Sequence, residues 1–324
     1  YYVSPHASSG GDGSQSAPFH SIHEAVEKAR KDQNSTTIYL REGKYVLDKP
    51  LMLTSDDGND SKELIIRNYP GEKAIISSGI TLDLKWEKYK NGIMRAAVKG
   101  NPVMDMLIVN GDLRSMARYP DYDKTAVRFN GTSALATAPE RVKKWKNPEG
   151  GYLHAVHSHD WGDFHYRITG KNEKGELQLE GGWQNNRPMG IHPENRMVEN
   201  IFEELDAPGE WYYDKQEGWL YYYPLSDENI NELVFETPQL KNLIEFAGTS
   251  SEPVKNITIQ GIELTQTIRT FMEHYEPLLR SDWTIYRGGA VIFRGTEKCT
   301  LRDCYIHHVG GNGVFFDKYN RYSA

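Results

Sequence analysis

The amino-acid sequence predicts an all-β chain: a right-handed parallel β-helix with a short N-terminal capping α-helix and a mostly β insertion subdomain. Three observations predict it. A gapless internal repeat links "VKNITIQGIEL" (254–264) to "EKCTLRDCYIH" (297–307). A series of short strand-like runs follows one amphipathic helix near the N-terminus. The hydrophobic content of 38% and mean hydropathy of -0.67 are low for a globule with one deep core and suit a thin, extended one.

The elements follow in chain order. An early strand at 1–3 leads into a Gly/Ser/Asp turn around Gly10 to Ser14. Phe19, Ile22, Val26 and Ala29 recur at helical spacing, and Ser21 with Glu24 forms an S-x-x-E capping box just after Pro18. Strand-like runs come next at 37–40, 45–47 and 51–53, then at 64–67 and 74–77 on either side of "NYPGE". A helix over the end of stacked short strands covers backbone groups that would otherwise lie unpaired. The Asp-rich loop "SDDGNDS" (55–61) offers oxygen ligands to calcium. It lacks the D-x-D-x-D-G order and closing Glu of an EF-hand, and a solvated turn is the alternative. No cofactor is required, and calcium is the one the sequence leaves open.

Within the repeat, Ile257 matches Cys299, Ile259 matches Leu301, Ile262 matches Cys304 and Leu264 matches Ile306. The shared apolar-x-apolar-x-x-apolar-x-apolar pattern describes two strands of period two that meet at a two-residue bend. "GGAVIFRG" (288–295) echoes "GGNGVFFDKY" (310–319), which places Val291 and Val314 one coil apart. Coils stacked at ~4.8 Å align equivalent inward side chains into ladders. Cys299 and Cys304 fall on inward positions and read as core residues; C-x4-C matches no common zinc pattern.

Residues 82–240 lose this rhythm. "MLIVNGDLRSMARYPDYD" (106–123) reads as strand, Asn-Gly turn and strand, and "GEWYYDKQEGWLYYYP" (209–224) as an aromatic hairpin. The chain thus divides into 1–81, a cap and first coils; 82–240, a β-rich insertion on the flank; and 241–324, further coils.

Composition bounds the partners. A net charge of -7 argues against nucleic acid, which needs a basic footprint. No apolar run approaches the ~18 residues of a membrane span. Twenty Tyr and seven Trp suit stacking on sugar rings as well as packing. A polysaccharide or oligosaccharide is the expected partner.

The N-terminal pattern "VSP…GDGS…PFxxIxxA…IYLxxGxY" resembles the first coils of the pectate-lyase-like superfamily. "VNGDLRSMARYPDYD", "FEELDAPGEWYYDKQEGWLYYYP", "MEHYEPLLRSDWTIYRGGAVIF" and "GGNGVFFDKYNR" resemble secreted bacterial β-helix proteins of polysaccharide degradation, with glycoside hydrolase family 141 as the named relative. The resemblance implies a secreted, periplasmic or cell-surface location and an extracellular glycoside hydrolase working through two carboxylates. Such proteins continue for several further coils, where their catalytic carboxylates are expected. This sequence stops at "DKYNRYSA", directly after a strand, and so reads as part of a longer stack, with the catalytic pair partly or wholly beyond it.

Glycoside hydrolysis needs two carboxyls, about 5–5.5 Å apart for retention and ~6.5–9.5 Å for inversion. Asp282 and Asp317 are the candidates, with His307 as a further acid or base and Asp303 as a further outward carboxylate. The loop "MEHYEPLLRSDWTIYRGG" (272–289) interrupts the coil pattern and contributes Glu273, His274, Trp283, Tyr286 and Arg287 to a substrate cleft. Trp283 would stack on a sugar, and Arg287 would hold a hydroxyl or carboxylate. Asp317 faces a polar cluster of Tyr319, Asn320 and Arg321, and Asn312 precedes it in "GGNG". His307 and His308, adjacent on a strand, point to opposite faces, so one is outward and the other packs. His159 and Trp161 come from the His-rich "HAVHSHDWGDFHYRITG" (154–170), where His157 and His159 share a strand face that permits zinc ligation without any carboxylate to compel it. No metal ligand is assigned. Arg118 shares a strand face with Arg114, and both reach either a cleft or nearby acids. Two alternatives stay open: a polysaccharide lyase on a uronate-containing glycan, and a non-catalytic glycan-binding β-helix.

Overall fold

The computed structural model describes the chain except residue 188 and residues 280–282. It is mostly β-strand with few helices and divides into two compact units. Unit 1 comprises Tyr1–Ile80, Pro238–Arg269 and Arg287–Ala324; unit 2 comprises Thr81–Thr237 and Thr270–Tyr286.

Unit 1 is built on three parallel ladders. The first runs through Tyr2–Val3, Thr36–Leu40, Leu64–Asn68, Ile257–Gln260 and Thr300–Arg302. The second runs through Gly43–Val46, Ala74–Ser77, Ile262–Thr265 and Tyr305–His307. The third runs through Leu51–Leu53, Ile244–Ala247, Val291–Arg294 and Val314–Phe316. From Thr36 onward the chain visits first, second and third ladder in rotation, so each pass adds one strand to each, with Tyr2–Val3 an extra strand on the first. Alternation decides what is buried: Ile38, Ile66, Ile259 and Leu301 lie side by side, as do Ile76, Leu264 and Ile306. In the third ladder Phe246 stacks on Phe293 at 4.4 Å and Phe293 on Phe316 at 4.5 Å. Fully burying an aliphatic or aromatic side chain of this kind stabilises by about 1.5–3 kcal/mol. The repeat register is as the sequence alignment has it, with Ile259 beside Leu301, Leu264 beside Ile306 and Val291 beside Val314.

The bends between ladders use left-handed residues. Gly261 and Asp303 turn the chain from first to second ladder, and Gln266 and His308 turn it out of the second. A side chain at Gly261 would meet the Asn68 carboxamide at 2.2 Å. Cys299 is fully buried in the core and Cys304 packs partly buried against it; burial pushes the Cys299 thiol up to about 11.

The helix Ile22–Arg30 starts at Ser21, whose hydroxyl accepts from the His23 N–H while Glu24 accepts from the Ser21 N–H. Its Ile22, Ala25, Val26 and Ala29 join the ladder core. At the other end Lys62 donates to the Ala29 and Arg30 carbonyls at 2.7 and 3.1 Å, a cation where the helix dipole favours one. Arg30 in turn grips Asp57 of the Asp-rich loop at 2.9 and 3.0 Å. The loop's buried carboxylate thus neutralises an arginine.

Unit 2 holds a five-stranded antiparallel sheet ordered Arg118–Tyr119, Ile191–Glu199, Tyr152–His157, Asp163–Lys171 and Leu177–Gly181. Trp145, Leu153, Ile168, Val198 and Ile201 pack as one of its cores. The hairpin of Leu107–Val109 and Asp112–Arg114 turns at Asn110-Gly111, both left-handed, as two-residue hairpins require. Trp211–Asp214 pairs with Trp219–Tyr222, and this aromatic hairpin also pairs with Met94–Ala97. The segment Thr270–Tyr286, expected among the later coils, groups instead with this unit. Phe271 packs edge-on against Tyr152 and His165 of the five-stranded sheet.

Candidate functional site

The exposed aromatic surface of unit 2 is assembled from three separate stretches. Trp161 lies in the turn between two sheet strands, Trp183 just past the edge strand, and Trp283 in the 270–286 segment. They remain 43%, 40% and 49% exposed, an unusual share for the largest apolar side chain. Buried Asn185 ties them together. Its Nδ2 donates to the Trp161 carbonyl at 2.7 Å, and its backbone bridges to Trp283. Thr284 donates to the Trp183 carbonyl at 2.9 Å. Gly162, left-handed at φ +106°, lies under the Trp283 ring, where a Cβ would stand 2.4 Å from it. Trp161 stacks on buried His157 at 5.6 Å and 10°.

Three expectations fell here, His159, Trp161 and Trp283, and the structure groups all three. Trp183 and Asn185 were missed, although a tryptophan after Gly-Gly in a polar stretch was a visible signal. The shared strand face of His157 and His159 is corrected: the strand ends at His157, and the His159 N–H turns back to donate to His157 Nδ1 at 3.0 Å.

The same five-stranded sheet carries a chain of ionisable groups. His154 and His165 are cross-strand partners, and their Nδ1 atoms lie 2.8 Å apart. His154 Nε2 lies 3.0 Å from Glu199 Oε1. His154 and Glu199 are buried, while His165 is partly exposed. Phe129 and Phe271 pack against both rings. Gln184 accepts from the His165 N–H and donates to the Phe271 carbonyl, so the residue between Trp183 and Asn185 touches the histidine strand.

Unit 1 carries a second such chain. His307 Nε2 lies 2.9 Å from Glu263 and its Nδ1 3.0 Å from His308 Nδ1. The expectation of opposite faces for His307 and His308 is corrected, because the left-handed backbone at His308 brings both rings into contact. Burial raises the Glu263 carboxyl, but Lys73 and His307 outweigh it and hold the group below its ordinary value.

Asp317 is nearly buried and accepts from Arg287 at 3.1 Å and Arg294 at 2.9 Å. Its expected neighbours are corrected accordingly. Asn320 accepts from the Thr296 backbone and hydroxyl, Arg321 pairs with Glu297, and Tyr319 lies exposed beside Lys318. Asn312 donates to the Gly288 carbonyl. Arg118 is also corrected: it is buried, and its guanidinium donates to the carbonyls of Pro120, Phe129 and Gly131, which fixes a loop instead of facing a cleft. Arg114 pairs with Glu228. Asp282 lies outside the described residues. In the same segment His274 is exposed, Glu273 is half-buried, and Tyr286 packs near Tyr275 at 6.0 Å. Among the described residues no three His, Cys, Asp or Glu side chains group as metal ligands. Glu210, not expected from sequence, is buried with Oε1 unpartnered, and burial pushes its carboxyl up to about 8.

No family model matches the chain. The uncharacterized protein YwoF of Bacillus subtilis (strain 168) is 34% identical over 86 residues, which cover 26% of this chain and 17% of that protein. Among solved structures, one described as "Glycoside hydrolase" superposes with a TM-score of 0.78 at 20% identity over 97% of this chain. This chain spans 62% of that structure's length. At that identity the likeness is one of fold. A complex of XylC with xylose aligns with a TM-score of 0.47 at 14% identity, over 97% of this chain and 41% of that one.

Proposed function

We propose that this chain is a glycan-active protein whose sugar-binding face is the tryptophan surface of unit 2. In this reading the three ladders of unit 1 wind as a right-handed parallel β-helix, as in glycoside hydrolase family 141. The reaction is hydrolysis of a polysaccharide or oligosaccharide outside the cytoplasm by a two-carboxylate mechanism. The observation that carries the reading is the trio Trp161, Trp183 and Trp283, held exposed around Asn185. Flat aromatic faces fixed at their backbones pay little entropy on stacking with a ring. The rotation of the chain through three parallel ladders and the fold shared with a structure described as "Glycoside hydrolase" support it further.

The test is incubation with neutral and with uronate-containing polysaccharides, reading reducing ends beside absorbance of an unsaturated product. Reducing ends alone mark hydrolysis. Both signals together mark a lyase and overturn the hydrolytic step. A second reading, a glycan-binding protein without catalysis, is favoured by Asp317, whose two oxygens are each held by an arginine. It predicts binding with neither signal.

A further inference from the structure

We propose that a cavity of unit 2, between the Asn91-Gly92 turn and the 202–206 segment, is a second carbohydrate site that takes one uncharged sugar ring. The choice of a sugar rests on the glycan reading. The cavity itself does not, and it shares no residue with the tryptophan surface.

The cavity has a volume of about 430 Å³. That lies within the ~300–1,000 Å³ of small-molecule sites. One wall is the turn before Met94–Ala97, where Asn91 and Gly92 are both left-handed. A Cβ on Gly92 would stand 3.0 Å from Tyr223 Cε2, so glycine there lets the Tyr223 ring close the wall. A second wall is the helical turn Phe202–Glu204 with the two residues after it. Glu204 turns inward to Arg141 and Trp145, at 2.6 Å each, and Leu205 is buried. Glu203 and Asp206 are left on the cavity. Phe202 packs edge-on against Tyr89, Tyr212 and Tyr221, so its ring is fixed before any ligand arrives.

The polar groups on these walls lack partners in the fold. Glu203 Oε1 accepts from the Lys146 N–H at 2.9 Å, while its Oε2 is buried with no donor. Such an acceptor is an exception in folded proteins. Burial, and then Asp121 and Glu204, push the Asp206 carboxyl up, and its one hydrogen bond is to its own backbone. Lys90 lies over the Tyr89 and Phe202 rings at 5.2 and 5.6 Å with no carboxylate beside it. The Lys146 ammonium and the Tyr223 hydroxyl have no hydrogen-bond or ion-pair partner among the described residues. Two ammoniums and two carboxylates on one small cavity oppose each other, so neither an anion nor a cation is favoured there as a whole. A ring of hydroxyls satisfies both, because each hydroxyl can donate and accept. It donates to Glu203 and Asp206 and accepts from Lys90 and Lys146. Its C–H face then lies against Phe202 or Tyr223.

The test uses the full chain and saturation-transfer NMR. D-glucose, D-galactose, D-mannose, D-xylose and L-rhamnose serve as neutral probes, and D-galacturonate and D-glucosamine as charged ones. At least one neutral sugar should bind, and more tightly than either charged one. For that sugar E203Q and D206N should each weaken affinity about tenfold, the usual loss for a hydrogen bond to a charged group, and Y223F less. Bound sugar should also slow acetylation of Lys146 by acetic anhydride, followed by peptide mass spectrometry on the parent chain, a readout that needs no variant to fold. W161A should leave both results unchanged. Binding of none of the neutral sugars, or tighter binding of a charged one, would overturn the proposal. Binding lost in W161A but unchanged in folded E203Q and D206N, with Lys146 unprotected, overturns the cavity site and leaves the tryptophan surface as the sugar face. Protection of Lys146, together with oligosaccharide binding that survives W161A, W183A and W283A, supports the cavity and overturns the tryptophan reading.

Discussion

At the residue scale the informative groups are those whose surroundings contradict their chemistry. Glu210 is a carboxyl with one buried, unpartnered oxygen, and burial pushes it from 4.5 up to about 8. The folded chain therefore keeps a proton there that the unfolded chain loses near its ordinary value. Its contribution to stability is full below about 4.5 and is lost as pH rises through about 8. E210Q, neutral at every pH, should match the parent near pH 4 and melt at higher temperature above pH 8, as thermal unfolding across pH would show. The tryptophans contradict theirs by exposure. Replacing Trp161, Trp183 or Trp283 by Ala should each weaken oligosaccharide binding about tenfold, a loss of ~1.4 kcal/mol in line with one stacking contact, measurable by calorimetry. Arg118 shows why some residues were illegible. Its partners are the carbonyls of residues 120, 129 and 131, and a carbonyl leaves no mark in a sequence. Glu199 and His154 are likewise 45 residues apart, and only the strand register brings them together.

At the scale of elements the sequence was most legible where periodicity and capping chemistry agree. The capping box at Ser21 and Glu24 is present in both its bonds, and S21A should cost about 1 kcal/mol in denaturant unfolding. The strand Leu51–Leu53 has the period-two burial of a ladder, with Leu51 and Leu53 buried on either side of exposed Met52. The hairpin at Asn110-Gly111 was readable because few residues other than Asn and Gly accept two successive left-handed positions. The bend at His308 was not, since nothing in "YIHHVGG" marks a histidine as left-handed. The phenylalanine stack is an element in its own right. Phe293 is sandwiched between Phe246 and Phe316, so F293A opens a cavity between two rings. It should cost about 3–5 kcal/mol, and F293L distinctly less, by chemical denaturation.

At the scale of the molecule, the parallel ladders were foreseeable from a repeat of eleven residues because a ladder repeats its own inward side chains. The grouping of 270–286 with unit 2 was not, since it depends on where Phe271 and Trp283 pack and not on any local pattern. The order in which the chain visits the ladders has its own consequence. Passage from the second ladder to the third takes residues 47–50 in one round, 78–243 in the next, then 266–290 and 308–313. All four arrivals still land in parallel register. This junction therefore joins the same two ladders through connections of very different length, with the ladder register kept each time.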